Sequence, residues 1–323
     1  MTKFKFLTHD IVSPQFNIAS EEYLLKHTDG YYIYLWRNSP AVIVGVNQNT
    51  FAEVNLDYTE KNGIKVVRRI TGGGAVYHDL NNICYTVIAP FDQTKNNYQV
   101  FAKPIVDYLH SLGVKAKFSG RNDLTVDGKK ISGNAQTVFK DRIMHHGTIL
   151  FKTDVDALTN SLKPSKLKIE SKGIKSVSSR VTNVCEYVKD VTPEKFFDGL
   201  KKFMKKGLDE TCFSKQDIES INALVKEKYS TDEWNKGYSP KGSLLINNRF
   251  SFGELSLTAD LINGVISNAK ISGDFFAVKD VDEICAFLNG KEFSKETFKK
   301  AFEKVGEYIT GATASEIIAH AFD

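Results

Sequence analysis

Three consecutive glycines, Gly72–Gly74, lie between an apolar run that ends in Arg68 and Arg69 and a second run that ends in His78 and Asp79. Glycine loses more conformational freedom on folding than other residues, so three in succession are unfavourable unless something must approach the backbone closely. Consecutive N–H groups uncovered by side chains can form an anion-binding nest, to which arginines add charge-assisted bonds. The stretch predicts a site for an anionic ligand. A tight inter-strand turn with solvated arginines is the alternative.

A second candidate site lies on LTVDGKKISG, residues 124–133, where Asp127–Gly128 predicts a two-residue hairpin turn. Paired residues across such a turn share a face and neighbours alternate between faces. One face is therefore expected to be polar, with Asp123, Thr125, Lys130 and Ser132. The other is expected to be mainly apolar, with Leu124, Val126, Ile131 and Lys129. The polar face can form the wall of a site, and an ordinary exposed sheet surface is the alternative.

Several common catalytic patterns are absent from the sequence. It contains no GxxxxGK[S/T], no GxGxxG between strand and helix, and no GxSxG nucleophile elbow. The four cysteines form no CxxC, which favours free thiols in a reducing compartment over a zinc ribbon or a disulfide framework. His145 and His146 are adjacent in a predicted strand and point in opposite directions, so one is expected in a site and the other elsewhere.

The elements around these candidates indicate two units. Helical spacing is found at 18–27, 98–113 and 192–208, and β-type runs are found at 31–38, 41–49, 81–90 and 145–151. The runs 31–38 and 41–49 are expected to be adjacent strands. A Gly-, Pro- and Ser-rich stretch over 234–244 resembles a linker. Beyond it we expect strands at 249–260 and 264–275 around Asn263–Gly264, followed by helices at 281–290 and 295–309. The predicted domains are therefore 1–240 and 241–323.

Composition bounds the protein class. The chain has 323 residues, 41% of them apolar, and 43 basic against 39 acidic residues give a net charge of +4. This excess is too small to predict nucleic-acid binding and is compatible with an anionic ligand or an acidic partner. No run of 18 apolar residues predicts a membrane span, and the first ten residues lack the apolar core of a signal peptide. A cytoplasmic location is the expectation.

Three segments together resemble the lipoate–protein ligase A family: RRITGGGAVYHDLNN (68–82), GRNDLTVDGKKISGNAQ (120–136) and HHGTIL (145–150). EEYL near the start, KGIKSVSSRVTN (172–183), WNKG (234–237) and the tail from residue 249 extend the similarity over nearly the whole chain. The resemblance implies an α/β (α+β) catalytic domain related to biotin ligases and class II aminoacyl-tRNA synthetases. It also implies a small C-terminal α+β accessory domain, which is expected to swing about the segment 237–242 when the adenylate forms.

The resemblance further implies a reaction. Lipoate and ATP, with Mg²⁺, would give lipoyl-AMP and pyrophosphate. A lysine on an apo lipoyl domain, in the glycine-cleavage H protein or in an E2 subunit of a 2-oxo acid dehydrogenase, would then attack the adenylate. No nucleic acid or membrane partner is implied, and a monomer is the default.

Site residues follow from the matched motifs. Lys130 is implied to hold the lipoate carboxyl and the α-phosphate while remaining cationic, and Asp123 to help hold Mg²⁺. The resemblance places Arg69, Gly74, Ala75, Val76, Tyr77, Asn122 and Lys130 against ATP. It places Trp36, Thr71, Gly72, His78, Asn82, Lys130 and His146 against lipoate or its adenylate. Thr71 and Tyr77 stand where Ser and Phe are common, and Asn134 replaces a frequent Ser.

Three alternatives differ in chemistry. An octanoyl or lipoyl transferase of the same fold would use a cysteine nucleophile without ATP, and Cys84 is the only cysteine inside a motif. Cys84 lies mid-strand, where a packed thiol is favoured. A biotin ligase would carry a GRGRxGR-like motif, which is absent. A non-catalytic lipoyl-carrier binding protein is disfavoured by the intact combination of Arg69, the glycines and Lys130.

Overall fold

The computed structural model describes residues 4–94, 97–120, 122–163, 180–236, 243–262 and 264–322. The strands are β1 Phe4–Thr8, β2 Tyr31–Arg37, β3 Ala41–Val44, β4 Lys65–Arg68, β5 Val76–His78, β6 Asn82–Pro90, β7 Lys117–Ser119, β8 Asp123–Val126, β9 Lys129–Phe139, β10 Arg142–Leu150, β11 Asp209–Thr211, β12 Ser243–Phe250, β13 Gly253–Ile262 and β14 Val265–Gly273. The α-helices are α1 Pro14–Lys26, α2 Thr50–Glu53, α3 Leu56–Lys61, α4 Asn97–Ser111, α5 Val155–Ser161, α6 Pro193–Met204, α7 Lys215–Leu224, α8 Asp232–Lys236, α9 Asp282–Leu288, α10 Lys295–Phe302, α11 Val305–Tyr308 and α12 Ala314–Phe322.

An eight-stranded sheet, in the order β11-β1-β2-β6-β10-β9-β8-β7, forms the centre of the larger unit. Alternate side chains of β2 enter two different cores. Trp36 packs with residues of α1, whereas Leu35 packs with residues of α4. Because both faces are covered, the central strand β6 is buried along almost its whole length. The sheet therefore provides a rigid support for side chains that project from its central strands.

A second, three-stranded sheet corrects one prediction. The runs 31–38 and 41–49 were expected to pair, but β3 pairs with β4 in parallel and with β5 in antiparallel orientation. Both edges of β2 are already occupied, by β1 and by β6. The chain therefore leaves the central sheet after β2, and β3 becomes the middle strand of a second sheet. The glycine loop connects β4 to β5, which flank β3 and do not pair with each other.

The C-terminal unit has more elements than predicted. A hairpin of β12 and β13 precedes the expected β14, because the predicted run 249–260 spans a turn at 251–252 and part of the predicted linker is a strand. Four helices follow instead of two. Their apolar residues and those of the strands form a core of their own, which includes Leu257, Phe275 and Phe298. The α/β class with a smaller α+β unit is confirmed.

Some expectations concern residues outside the described part of the chain. They are the hinge at 237–242, most of the segment 172–183, and Asn263. The strands on either side of residue 263, β13 and β14, pair with each other. The boundary at 240/241 stays a prediction. Among the described helices, none combines the length and apolarity that a bilayer crossing requires.

Candidate active site

A cleft opens between the glycine loop, the central sheet and the β8–β9 hairpin. Apolar lining side chains are Ile18, Trp36, Ile43, Val76 and Ala135. Polar lining side chains include Arg69, Asn122, Lys130, Asn134, His146 and Thr148. The cleft can thus bury an apolar chain and present cations and amides to a polar group.

The three glycines of the loop have three different surroundings. A Cβ on Gly72 would lie 2.6 Å from the carbonyl oxygen of Phe275, so the accessory unit requires a glycine there. Gly73 has a φ of +90°, a conformation that L-residues rarely adopt. Gly74 has neither constraint, because a Cβ built there meets no atom within 4 Å. No acceptor among the described residues takes the Gly74 amide hydrogen either. Folding of the described chain therefore does not explain the third glycine.

Both arginines beside the loop are buried, which rules out the alternative of a turn with solvated arginines. Arg69 donates to the carbonyl oxygens of Gly72 and Gly74 at 2.7 and 2.9 Å, and its Nε donates to Thr71 Oγ1 at 2.8 Å. Burial lowers the pKa of Arg69 to about 10, which leaves it cationic at neutral pH. Arg69 thus fixes the backbone of the loop while its side chain lines the cleft.

Arg68 has a structural position. Its guanidinium donates to the carbonyl oxygens of Gly45 and Gln48 at 2.9 and 2.7 Å. Its backbone N–H donates to Asn235 Oδ1 at 2.9 Å, and its carbonyl accepts from Trp234 Nε1 at 2.8 Å. Arg68 therefore attaches α8 to the base of the loop, and it is not among the residues that line the cleft.

The hairpin turn has the predicted geometry, with φ of +50° at Asp127 and +77° at Gly128. A two-residue turn pairs Val126 with Lys129 and Thr125 with Lys130, and both pairs are present. The same turn would next pair Leu124 with Ile131 and Asp123 with Ser132, and these two pairs are wrong. A bulge at Ile131 shifts the register, so Leu124 pairs with Ser132 and Asp123 with Gly133. Two consecutive side chains, Ile131 and Ser132, are buried as a result, so Ser132 leaves the predicted polar face.

Lys130 keeps its place on the polar face. Its Nζ lies 2.8 Å from Asp123 Oδ1, and both side chains are 35% exposed. Its backbone is held on both sides, because Lys130 N donates to Arg180 O at 2.8 Å and Thr182 N donates to Lys130 O at 2.9 Å. The exposed Lys129 faces the other way and does not line the cleft. The two adjacent lysines thus have distinct surroundings.

An amide pair supports this polar side of the cleft. Asn122 Nδ2 donates to the carbonyl oxygen of Asn134 at 2.7 Å, and Asn134 Nδ2 donates to the carbonyl oxygen of Asn122 at 2.9 Å. Tyr85 donates its hydroxyl hydrogen to Asn134 Oδ1. A Cβ on Gly147 would lie 2.2 Å from that same Oδ1, so this glycine makes room for the pair. Asn134, which stands where Ser is frequent, therefore joins the hairpin to the central sheet.

Neutral groups form the buried wall of the cleft. His78 Nδ1 lies 3.1 Å from Asn38 Nδ2 and 3.5 Å from Cys84 Sγ. Burial, with Arg69 nearby, lowers the pKa of His78 to about 3. Burial also raises the pKa of the Cys84 thiol well above its ordinary value. A reactive cysteine needs a stabilised thiolate, so Cys84 has the surroundings of a packed thiol and not of a nucleophile.

The two adjacent histidines separate as predicted. His145 is buried on the far side of β10 with Gln136 and three aromatic rings, whereas His146 lines the cleft. His146 Nδ1 lies 2.9 Å from Glu21 Oε1, and its Nε2 lies 2.8 Å from Thr71 Oγ1. Glu21 belongs to the segment EEYL, whose resemblance to the family implied no role for it. The i, i+3, i+7 spacing of Ile18, Glu21 and Leu25 could have placed this carboxylate on the buried face of α1.

The predicted residues divide into two groups. Those that line the cleft are Trp36, Arg69, Gly74, Ala75, Val76, His78, Asn122, Lys130 and His146. Those that lie beside or behind it are Thr71, Gly72, Tyr77, Asn82 and Asp123. Tyr77 alternates with Val76 and packs into a separate apolar cluster with Val42 and Val54, so a nucleotide in the cleft can meet only its backbone. Buried Asn82 donates to Cys84 Sγ at 3.4 Å.

The accessory unit contacts the glycine loop directly, which no motif indicated. Gly73 N donates to Phe275 O at 3.4 Å, and beside the loop Gly273 N donates to Asn47 O at 2.9 Å. The nearest atom to a Cβ built on Gly73 is Phe276 Cε1, at 3.1 Å. The loop is therefore positioned between Arg69 on one side and the accessory unit on the other.

Family models match both units. Residues 13–205 match the lipoyl protein ligase A/B catalytic domain, and residues 239–320 match the bacterial lipoate protein ligase C-terminus. The chain belongs to the lipoyl protein ligase A/B family. The first model alone covers more than half of the chain, and the second confirms an accessory unit of the expected type. The resemblance to lipoate–protein ligases is thereby confirmed, and the chain is a ligase of this family.

Individual relatives are similar over most of the chain. The lipoate-protein ligase LplJ of Bacillus subtilis is 43% identical over 305 residues, covering 92% of each chain. The structure of P. falciparum LipL1 in complex with lipoate has a TM-score of 0.78 at 28% identity and covers 98% of each chain. A lipoate-protein ligase A bound with ATP has a TM-score of 0.63 at 28% identity, covering 73% of this chain and 99% of that one.

Proposed function

We propose that this ligase forms lipoyl-AMP from lipoate and ATP in the cleft and then transfers the lipoyl group to a lysine of an acceptor protein. One observation carries the assignment: Lys130 and Gly74 line the same cleft, and no atom lies within 4 Å of the position that a Cβ of Gly74 would occupy. Relatives solved with lipoate and with ATP support these two substrates.

Adenylation brings two anions together, the lipoate carboxylate and the α-phosphate. Their approach requires positive charge and oriented N–H donors in a site that excludes water. Lys130 supplies the charge, and its bridged backbone limits its movement. The glycine loop supplies N–H donors in a backbone that Arg69 already holds. Pyrophosphate leaves from ATP, and the carboxyl oxygen becomes bonded to the α-phosphorus.

The second step transfers the acyl group. An acceptor lysine, as a neutral amine, attacks the lipoyl carbonyl; an amide forms and AMP leaves with the electrons of the broken bond. Lys130 stays cationic throughout and stabilises charge on the oxygens of the reacting group. The apolar lining around Trp36, Ile18 and Ile43 gives the lipoyl chain a place to be buried.

Magnesium fits this site as an ion held mainly by the nucleotide. Mg²⁺ in nucleotide sites commonly uses one or two carboxylates, and phosphate oxygens and waters complete its coordination. Asp123 offers one carboxylate, which is 35% exposed and beside Lys130. Among the described residues no cluster of three or more His, Cys, Asp or Glu side chains offers a ready-made metal site. We therefore propose that Asp123 would hold Mg²⁺ only together with ATP, where the ion neutralises phosphate charge.

The acceptors that we propose are lysines on lipoyl domains, in H protein and in E2 subunits. A cytoplasmic monomer is part of the same proposal. The end of the cleft at Lys130 is open to solvent, because the Lys130 side chain is 35% exposed. An exposed lysine on another protein can therefore reach it. The net charge of +4 favours acidic acceptor surfaces.

Pyrophosphate release by the purified protein with lipoate, ATP and Mg²⁺ tests this function without any acceptor. We expect release by the wild type and by Lys129→Met, and a loss of at least about 100-fold in Lys130→Met, because a charge-assisted contact to each reacting anion is lost. Lys129 is the matched control, since it is the exposed neighbour that faces away from the cleft. Full activity in Lys130→Met, or no release by the wild type, would contradict the assignment.

A further inference from the structure

A single chain of hydrogen bonds connects the wall of the cleft to the glycine loop through a buried carboxylate. Trp36 Nε1 donates to Thr86 Oγ1 at 2.9 Å, and Thr86 donates to Glu21 Oε1 at 2.5 Å. On its other side Glu21 meets His146 Nδ1 at 2.9 and 3.0 Å from its two oxygens. Glu21 is 1% exposed, and none of the motifs gave it a function.

In the second half, one arrangement of hydrogens pairs every donor with an acceptor. Arg69 Nε donates to Thr71 Oγ1 at 2.8 Å, and Thr71 Oγ1 lies 2.8 Å from His146 Nε2. If Thr71 donates its hydroxyl hydrogen to Nε2, His146 is neutral and its proton is on Nδ1, where it is donated to the Glu21 carboxylate. Every member then has a partner, and the anion of Glu21 balances the cation of Arg69.

We propose that Glu21 is a positioning residue for adenylation. It holds His146 as the Nδ1–H tautomer, so that Nε2 accepts from Thr71 and Thr71 in turn fixes the guanidinium of Arg69. That guanidinium holds the carbonyl oxygens of Gly72 and Gly74. Glu21 therefore controls the geometry of the nucleotide-binding backbone through three intermediates and contacts no substrate. This inference rests on the proposed ligase function.

The same anion links the two halves of the cleft. Trp36 lines the cleft on the acyl side, and its indole N–H belongs to the chain that ends at the loop. A displacement of Trp36 by the lipoyl chain would change the partner of Thr86 and then of Glu21. Buried networks of this kind act as units, because an unpaired member in a low-dielectric interior is strongly unfavourable.

Two measurements test the proposal. The first is the ¹⁵N spectrum of selectively labelled histidine, assigned for His146 with the His146→Asn variant; we expect a neutral ring with hydrogen on Nδ1. The second is kcat/KM for ATP, from pyrophosphate release at saturating lipoate, in Glu21→Gln, Thr71→Val and the double variant. We expect losses of about 10- to 100-fold in each single variant and no further loss in the double variant, because both changes break one chain.

The neighbouring Glu22 provides the control. It is also a buried carboxylate on α1, but it binds Lys26 and Lys228 at 2.8 and 2.7 Å, away from the cleft. Glu22→Gln is expected to lower the melting temperature and to leave kcat/KM for ATP unchanged.

Other outcomes would overturn the inference. A cationic His146, an Nε2–H tautomer in the wild type, or losses that multiply in the double variant would each do so. The histidine spectrum of the wild type does not depend on how Glu21→Gln or Thr71→Val folds. No pyrophosphate release by the wild type would instead overturn the proposed function, and the spectrum would still decide how Glu21 holds His146.

Discussion

Replacement of Gly74 by alanine should stabilise the protein and impair its chemistry. A Cβ at this position meets no atom within 4 Å, and Gly74 is not among the glycines with positive φ. The folded chain can therefore accept alanine. Because alanine restricts the unfolded chain, such a change stabilises by about 0.4–1 kcal/mol. For a unit of this size we expect the melting temperature to rise by about 1–4 °C.

The effect on activity should have the opposite sign. The added methyl group would occupy the cleft where we propose that the loop backbone meets the nucleotide, and it would separate the Gly74 N–H from a phosphate oxygen. Loss of one charge-assisted hydrogen bond is worth about 1.5–3 kcal/mol. We therefore expect kcat/KM for ATP in pyrophosphate release to fall by about 10- to 150-fold.

Two neighbouring glycines give matched comparisons. In Gly73→Ala, the φ of +90° and the contact with Phe276 should lower the melting temperature, so activity and stability fall together. In Gly45→Ala, the Cβ would lie 2.0 Å from the carbonyl oxygen of Gly73, and the loop cannot form as it is. Only position 74 separates the two effects. Full adenylation by Gly74→Ala would refute the idea that this glycine serves a ligand, and a lower melting temperature would refute the account of its free space.

Three further predictions concern the thiol, the buried histidines and the accessory unit. Cys84→Ser should retain ligation within about two-fold, because burial raises the pKa of the thiol and disfavours a thiolate nucleophile; loss of acyl transfer would revive the transferase alternative. Burial lowers the pKa values of His78 and His145 to about 3, so only the unfolded chain takes up these protons below about pH 6.5. The free energy of unfolding, measured by urea titration, should therefore decrease as the pH is lowered from about 6.5 to 3, by up to about 1.4 kcal/mol per pH unit for each histidine. A free energy that does not change over this range would contradict the prediction. Small-angle scattering should differ with and without lipoyl-AMP, because a ligand on the glycine loop alters the surface that Phe275 and Phe276 contact; identical profiles would argue against movement of the accessory unit.

Local signals predicted the parts of the site that depend on a few neighbouring residues. The φ > 0 requirement of a two-residue turn identified Asp127–Gly128, and the pairing that follows from this turn placed Lys130 on the polar face of the hairpin. The alternation of side chains along a strand separated His145 from His146. The run 192–208 was expected to be helical, and α6 begins there with Pro193 after Thr192, whose Oγ1 accepts a hydrogen bond from Lys195 N.

Long-range packing decided the rest. The Ile131 bulge, the move of β3 into a second sheet and the burial of Arg69 depend on which edges and faces are already occupied. Glu21 and His146 are 125 residues apart in sequence, and their hydrogen bond exists because α1 packs on the sheet that contains β10. No pattern within either segment predicts that pair.

The sequence by itself determined the family, the glycine loop and the hairpin lysine, because turn geometry and strand alternation are properties of neighbouring residues. The tertiary structure alone decided what the arginines and the third glycine do. Arg69 is buried and satisfies backbone carbonyls, whereas Gly74 is the one glycine of the three whose missing side chain the described chain does not need. Burial and open space are properties of the packed molecule, and they leave the Gly74 backbone accessible to a ligand.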